Sequence, residues 1–133
     1  MMATTEKTMR VLIVEDDGPL RKFIILLLRD KFEFIFSEAE NCKLALELLE
    51  KESFDLLILD LLTPEINGMD FLRTIRSTKR FKDLPVIIIT CISDRKTVVE
   101  MVSLGVEDYM VKPLNGPQLV NKIRDFIKKK RGW

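Results

Sequence analysis

Phe54–Asp60, FDLLILD, decides the reading of this chain. Four unbroken aliphatic residues between acidic ones are too few for a helix of ordinary length, and no polar residue alternates with them. That is the pattern of a strand buried on both faces, in the middle of a parallel sheet. Parallel strands need crossovers, and both flanks supply them. Upstream, Asn41–Glu52 has helical period with Leu44, Ala45, Leu48 and Leu49 inward. Downstream, Gly68–Thr78 does the same with Phe71, Leu72 and Ile75. Two similar runs lie further out, RVLIVE at Arg10–Glu15 and PVIIIT at Pro85–Thr90, and then two weaker ones, EFIFS at Glu33–Ser37 and EDYMV at Glu107–Val111. Glu33–Ser37 reads as an edge or less buried strand. The remaining helices are one with Leu20, Phe23, Ile24, Leu27 and Leu28 inward, one over Asp94–Leu104 with Val98, Met101 and Val102, and a last one with Leu119, Ile123, Phe126 and Ile127. Five βα units and the right-handed crossover rule predict an α/β fold, a doubly wound five-stranded parallel sheet with helices on both faces.

The composition fits and narrows the chemistry. A chain of 133 residues, 47% hydrophobic and 32% charged, is a single globular domain by size and composition. Lys and Arg number 22 against 21 Asp and Glu, too balanced for the basic field that non-specific nucleic-acid binding needs. The longest wholly apolar run, Phe23–Leu28, is far too short to span a bilayer. Met1–Arg10 has no apolar core of a signal peptide, so a cytoplasmic location is expected. The chain has no His, which removes Ser-His-Asp triads, imidazole bases and imidazole metal ligands. Cys42 and Cys91 are too far apart for a redox pair or a zinc framework, and both are expected to be buried small hydrophobes.

In an open parallel sheet the site lies at the carboxyl ends of the strands. Those ends carry Glu15-Asp16-Asp17, Asp60, Thr90 and Lys112. Crowded carboxylates call for a divalent cation, and Mg²⁺ prefers such oxygen ligands. With a cation and an ammonium beside it, a strand-tip carboxylate can attack phosphorus. Each residue also has an ordinary reading: Asp17 as the cap of the first helix, Asp60 as a turn residue, Thr90 as a β-branched strand residue, Lys112 as a solvated lysine. Those readings do not explain why all of them fall at one edge of the sheet.

The order and spacing of VEDD at Val14–Asp17, DLLTPEINGM at Asp60–Met69, VIIIT at Val86–Thr90 and EDYMVKP at Glu107–Pro113 resemble the response-regulator receiver domain, the CheY-like family of two-component signalling. The resemblance covers residues 9–129, leaving tails at 1–8 and 130–133. It implies Asp60 as the phosphoacceptor, Glu15 and Asp16 as the acidic pair that with Asp60 and the Leu62 carbonyl holds Mg²⁺, and Asp16 as the more direct of the pair. It implies Thr90 as the hydroxyl that turns toward the phosphoryl group, Lys112 as its ion-pair partner, Tyr109 as the aromatic that tracks activation, and Pro113 as a proline preceded by a cis peptide. Thr63 and Asn67 stand where many members carry Met and Asp, which bears on loop geometry.

A family member without His must receive its phosphoryl group from another protein, a sensor histidine kinase or a histidine phosphotransfer protein. Its output is expected to run through contact with a downstream target at the face made by Asp94–Leu104, Glu107–Val111 and Asn115–Lys129. Val99 adds apolar surface there, and Ile25 and Leu26 do so on the first helix. Leu62 and Ile92 are apolar and cannot orient a water for attack, so a long-lived phosphoryl state is expected. Lys128–Arg131 reads as cations at a helix C-terminus, not as a nucleic-acid site. Two rivals stand beside this reading. A receiver-fold scaffold that is never phosphorylated is one. The other is an aspartyl-phosphate hydrolase of the haloacid dehalogenase type, which needs a second Asp where Leu62 stands.

Overall fold

The computed structural model describes residues 8–130 and Gly132. The expected tails at 1–8 and 130–133 and the cation at Arg131 therefore fall largely outside the described residues. Five strands, β1 (Met9–Val14), β2 (Phe34–Ala39), β3 (Leu56–Leu59), β4 (Val86–Thr90) and β5 (Asp108–Val111), alternate with α1 (Gly18–Lys31), α2 (Cys42–Lys51), α3 (Gly68–Ser77), α4 (Arg95–Ser103) and α5 (Gly116–Lys130). The strands form one parallel sheet in the order β2-β1-β3-β4-β5. The expected doubly wound sheet is thus the observed one, with β2 at an edge and β1 beside β3 where the order reverses.

The alternation of each strand sorts the core into two layers. Leu12, Val14, Leu57, Leu59, Val86 and Ile88 pack with α2, α3 and α4. Val11, Ile13, Leu56, Ile58, Ile87 and Ile89 pack with α1 and α5. β1, β3 and β4 are buried almost throughout, as unbroken aliphatic runs require, whereas β2 is mostly half-buried or exposed.

Several helical faces differ from the expected ones. Ile25 is buried and Phe23 is 51% exposed, the reverse of the expected assignment, while Leu26 does lie outside. In FIILLL the apolar run covers more than a full turn and so every side of the helix, and periodicity alone cannot fix which side meets the sheet. Leu44 and Val102, expected inward, are exposed as well; α2 seats on Cys42, Ala45 and Leu49, and α4 on Met101. Cys91 is a further correction. Cys42 is fully buried, but Cys91 is exposed because it lies one residue past the end of β4, on the rim of the sheet.

The caps explain where the helices begin. Asp17, Asn41, Asn67 and Asp94 each accept a backbone N–H from the first turn of the helix that follows, and Pro19 sits in the first turn of α1.

Candidate functional site

Ladder hydrogen bonds continue one residue beyond the strands and fix the carboxylates. Glu15 N–H donates to the Ala39 carbonyl at 3.0 Å and Asp60 N–H to the Val14 carbonyl at 3.0 Å, placing both side chains at the β1–β3 junction. Lys112 N–H donates to the Thr90 carbonyl at 2.8 Å, so the lysine starts from the tip of β5. Its side chain reaches back across the sheet. Lys112 Nζ lies 2.8 Å from Glu15 Oε1 and 2.9 Å from Asp60 Oδ2. The Lys112–Pro113 peptide is cis.

Glu15 and Asp60 are among the few buried polar side chains, together with Thr90. A buried charge needs partners, and these are supplied from several directions. Glu15 Oε2 accepts the Asp17 N–H at 3.1 Å, Asp60 Oδ1 accepts the Leu62 N–H at 3.0 Å, and Arg21 Nη1 donates to the Glu15 carbonyl at 2.6 Å. Burial pushes the Glu15 carboxyl above its ordinary value of 4.5, an effect the Lys112 hydrogen bond only partly offsets. The stability linked to that proton is therefore fully present below 4.5 and is lost as pH rises through the elevated folded value. Lys112 is opposite in balance: burial works against its charge, but hydrogen bonds to Glu15 and Asp60 outweigh it and hold the ammonium well above the ordinary lysine range.

Glu15, exposed Asp16 and Asp60 each present a carboxylate oxygen within 4.8 Å of the others. Hard, anionic oxygens at that spacing suit a small divalent cation, since octahedral Mg²⁺ at about 2.0–2.1 Å from its ligands brings opposite ligands to about 4.2 Å. The donor set therefore fits Mg²⁺. Asp17 does not join it; its Oδ1 accepts the Leu20 N–H at 3.0 Å and caps α1. The ordinary reading of that one acid is the structural one.

Other residues singled out from the sequence stand around this cluster. Thr90 is fully buried at the end of β4, and its hydroxyl accepts the Ile92 N–H at 3.3 Å with no hydrogen bond to Asp60 or Lys112. Leu62 is 49% exposed, while Ile92 is partly buried against the α2–α4 layer. Tyr109 is half-buried, its ring packed against the same layer. Thr63, one of the departures, has a partner of its own: Cys42 Sγ lies 3.2 Å from its hydroxyl, which donates to the Ile66 carbonyl at 3.3 Å. Glu65, two residues on, has φ 71°, a left-handed conformation uncommon for a non-glycine residue.

Sequence reasoning missed two residues that shape the surroundings of the acidic cluster, Gly68 in the loop after Asp60 and Arg21 beside Glu15. Gly68 donates its N–H to the Leu61 carbonyl at 3.0 Å, and a Cβ there would stand 2.4 Å from Leu61 Cα. The only legible signal was a glycine opening a helix. Arg21, on the face of α1 that meets β2, also bonds Glu38 at 2.8 Å, and nothing in its sequence neighbourhood marks it.

Comparison with known proteins agrees with this geometry. The response regulator receiver domain family matches residues 11–124. The chain is 36% identical over 124 residues to the chemotaxis protein CheY of Pseudomonas aeruginosa, covering 93% of this chain and 100% of that protein. It is 36% identical over 123 residues to CheY-3 of Vibrio cholerae, covering 92% and 95%. Among solved structures, a putative response regulator from Chloroflexus aurantiacus superposes with a TM-score of 0.81 at 28% identity, covering 90% of this chain and 97% of that one. A CheY-like receiver domain protein from Methanospirillum hungatei has the same fold, with a TM-score of 0.83 at 23% identity over 95% and 98%. With a CheY-like sheet, an acidic cluster at its β1–β3 junction and a family match across nearly its whole length, the chain belongs to the response-regulator receiver domain family.

Proposed function

We propose that this receiver domain accepts a phosphoryl group on Asp60 from a phosphohistidine of a sensor histidine kinase or a histidine phosphotransfer protein, and that the resulting aspartyl phosphate switches a protein-binding face. The observation that carries the reading is Lys112 Nζ bridging Asp60 and Glu15 at hydrogen-bond distance across the sheet. An isolated strand-tip aspartate would have no such cation, and a scaffold would have no need to bury two carboxylates against it.

In the transfer, an Asp60 oxygen attacks phosphorus as the P–N bond to the donor imidazole breaks. The new P–O bond gives an acyl phosphate, and the imidazole leaves with its electron pair and takes up a proton. The donor nitrogen must be a partner's, because the chain has no His. Glu15, Asp16, Asp60 and the Leu62 carbonyl would hold Mg²⁺, which when bound supplies a Lewis acid that neutralises phosphoryl oxygens. Lys112, already charged and held in place, neutralises the same group from the β5 side. Thr90 and the Cys91 N–H would engage the new dianion once the loop after β4 moves inward, and Tyr109 would follow. To invert an arrangement populated at about one in a hundred requires ~10⁴-fold preference, about 5.5 kcal/mol, within reach of a few charge-assisted hydrogen bonds. The contact face for kinase and target is assigned to α4, β5 and α5, where Val99 and Val102 are exposed. Among the described residues no helix is long and apolar enough to cross a membrane.

Treatment with Mg²⁺ and a small phosphoramidate should add one phosphoryl mass to the intact protein. Turnover of the donor without labelling would indicate a hydrolase, and neither outcome would indicate a scaffold. The exposed apolar side chain of Leu62 leaves no polar group there to orient an attacking water. Leu62→Asn should shorten the label's lifetime about tenfold, less than the roughly 10²–10⁴ of a true proton acceptor because an amide only orients the water. An unchanged lifetime contradicts that account of slow hydrolysis.

Metal binding gives a second prediction. Mg²⁺ at about 100 times its Kd should stabilise the protein by about 2.7 kcal/mol in thermal unfolding. Asp16→Asn, at an exposed position whose loss leaves the fold intact, should abolish most of that shift. A variant that retains the full shift would remove Asp16 from the ligand set.

A further inference from the structure

Among the helices, α4 has the thinnest seat. Met101 is its one buried residue, whereas α3 buries five and α5 buries four. Beside half-buried Val98 and Leu104, which pack on the same core as Met101, it is held by polar contacts from two arginines nearly one turn apart on α3. Arg73 forks onto both oxygens of Glu100 in the middle of α4, at 2.5 and 2.7 Å, and its remaining nitrogen bonds Asp70 at 2.6 Å, which fixes the guanidinium. Arg76 donates to the Leu104 carbonyl at 2.6 Å, to the Gly105 carbonyl at 3.3 Å and to the Leu84 carbonyl just before β4 at 2.7 Å. A cation on the last carbonyls of a helix is favoured by its dipole and satisfies acceptors that would otherwise lack partners.

The two contacts differ in kind. Arg76 is partly buried, bonds backbone only and joins three segments at the C-terminal end of α4. Arg73–Glu100 is a bidentate side-chain pair facing solvent, so it can break without exposing core. The N-terminal end of α4 continues directly from the loop that follows Thr90, where the Ile92 N–H engages the Thr90 hydroxyl away from Asp60. Movement of that loop toward Asp60 must carry the start of α4 with it.

We propose that Arg73–Glu100 is a latch and Arg76 a pivot: with the pair closed, α4 holds the Cys91–Asp94 loop in the position that leaves Thr90 disengaged from Asp60, and opening the pair lets α4 swing about its C-terminal end. Arg73 and Glu100 are thus positioning residues for Thr90, touching neither phosphoryl group nor metal. This inference rests on the phosphoacceptor reading for its effect on rate, but the latch itself can be read without any phosphoryl donor.

The test compares wild type with Arg73→Ala, Glu100→Ala, the double variant and the charge swap Arg73→Glu with Glu100→Arg. Hydrogen exchange over Arg95–Ser103 is measured on untreated protein, and the rate of labelling is measured with a small phosphoramidate and Mg²⁺. Each single variant should raise exchange in the first half of α4 by about three- to fivefold and the labelling rate by about two- to threefold, the scale of a surface ion pair. The double variant should be no worse than either single one, and the swap should restore both readouts toward wild type. Asp70→Asn should change little. Arg76→Met should instead raise exchange throughout α4. Single variants with wild-type exchange overturn the latch. So does faster exchange with an unaltered labelling rate, which would mark the pair as structural only. A wild-type protein that takes no label would defeat the phosphoacceptor reading and leave the latch to be decided by the exchange data.

Discussion

Replacing Lys112 with Met should lower the rate of phosphoryl transfer from a small donor by about 10²–10³-fold, the usual effect of deleting one group that stabilises transition-state charge. Lys112 is the single cation in contact with Asp60 among the described residues, and its side chain is only 22% exposed. Its removal has a second consequence in the metal-free protein. Glu15 and Asp60 would face each other without a counter-ion while 2% and 4% exposed, an arrangement that typically costs about 3–5 kcal/mol when one partner of a buried pair is deleted. Part of that cost is avoided by protonation of Glu15, whose carboxyl burial already pushes upward. Thermal unfolding of the Met variant should therefore show a loss at neutral pH that shrinks as pH falls toward 4.5, and that Mg²⁺ largely reverses. Lys112→Arg keeps the charge but replaces a compact ammonium by a planar fork, and it should recover stability more fully than rate. A Met variant with wild-type labelling kinetics would remove Lys112 from the chemistry.

The second large effect concerns Gly68. A Cβ at this position would lie 2.4, 2.5 and 2.7 Å from the Cα, carbonyl oxygen and carbonyl carbon of Leu61. Those are backbone atoms of the residue next to Asp60, and Leu61 itself is 2% exposed, so neither side can yield cheaply. Gly68→Ala should destabilise the domain by about 3 kcal/mol, the upper end of what overpacking costs. For a domain of this size that is a fall in Tm on the order of 10 °C. Labelling of the fraction that remains folded should slow as well, because the shift is transmitted to Asp60 through one peptide unit. Gly18→Ala is the contrast. Nothing but the tip of the Arg21 side chain comes within 4 Å of a Cβ there, and α1 should gain stability from reduced unfolded-state freedom. Equal effects of the two substitutions would show that close approach at Leu61 is not what Gly68 provides.

The two glycines also mark the boundary of what the sequence discloses. Strands and the doubly wound parallel sheet were legible because aliphatic runs such as LLIL and VIIIT have one stable use, between two helical layers, and because βα alternation leaves few topologies. Strand ends located the acidic cluster and its lysine for the same reason, since Glu15, Asp60 and Lys112 all follow runs whose direction is fixed by parallel pairing. Helix faces were less legible. Phe23 and Ile25, two positions apart in one apolar run, differ in exposure through a rotation of the helix that such a run does not specify. Least legible were contacts between residues remote in sequence and ordinary in type. The Cys42–Thr63 pair, Arg21 on the Glu15 carbonyl, and Arg73 and Arg76 on α4 depend on how the layers are juxtaposed, and no local pattern encodes that. Cys91 was misjudged on residue type alone; its position one residue past a strand tip was the better guide.

The measurement that bears most directly on the central claim locates the label. Protein treated with Mg²⁺ and a small phosphoramidate is reduced with borohydride, which converts an aspartyl phosphate to homoserine, and then digested and sequenced by mass spectrometry. The account predicts homoserine at residue 60 and nowhere else, with none formed in Asp60→Asn. An unmodified Asp60 in protein that has gained a phosphoryl mass, or a label that persists in Asp60→Asn at the wild-type rate, would contradict it.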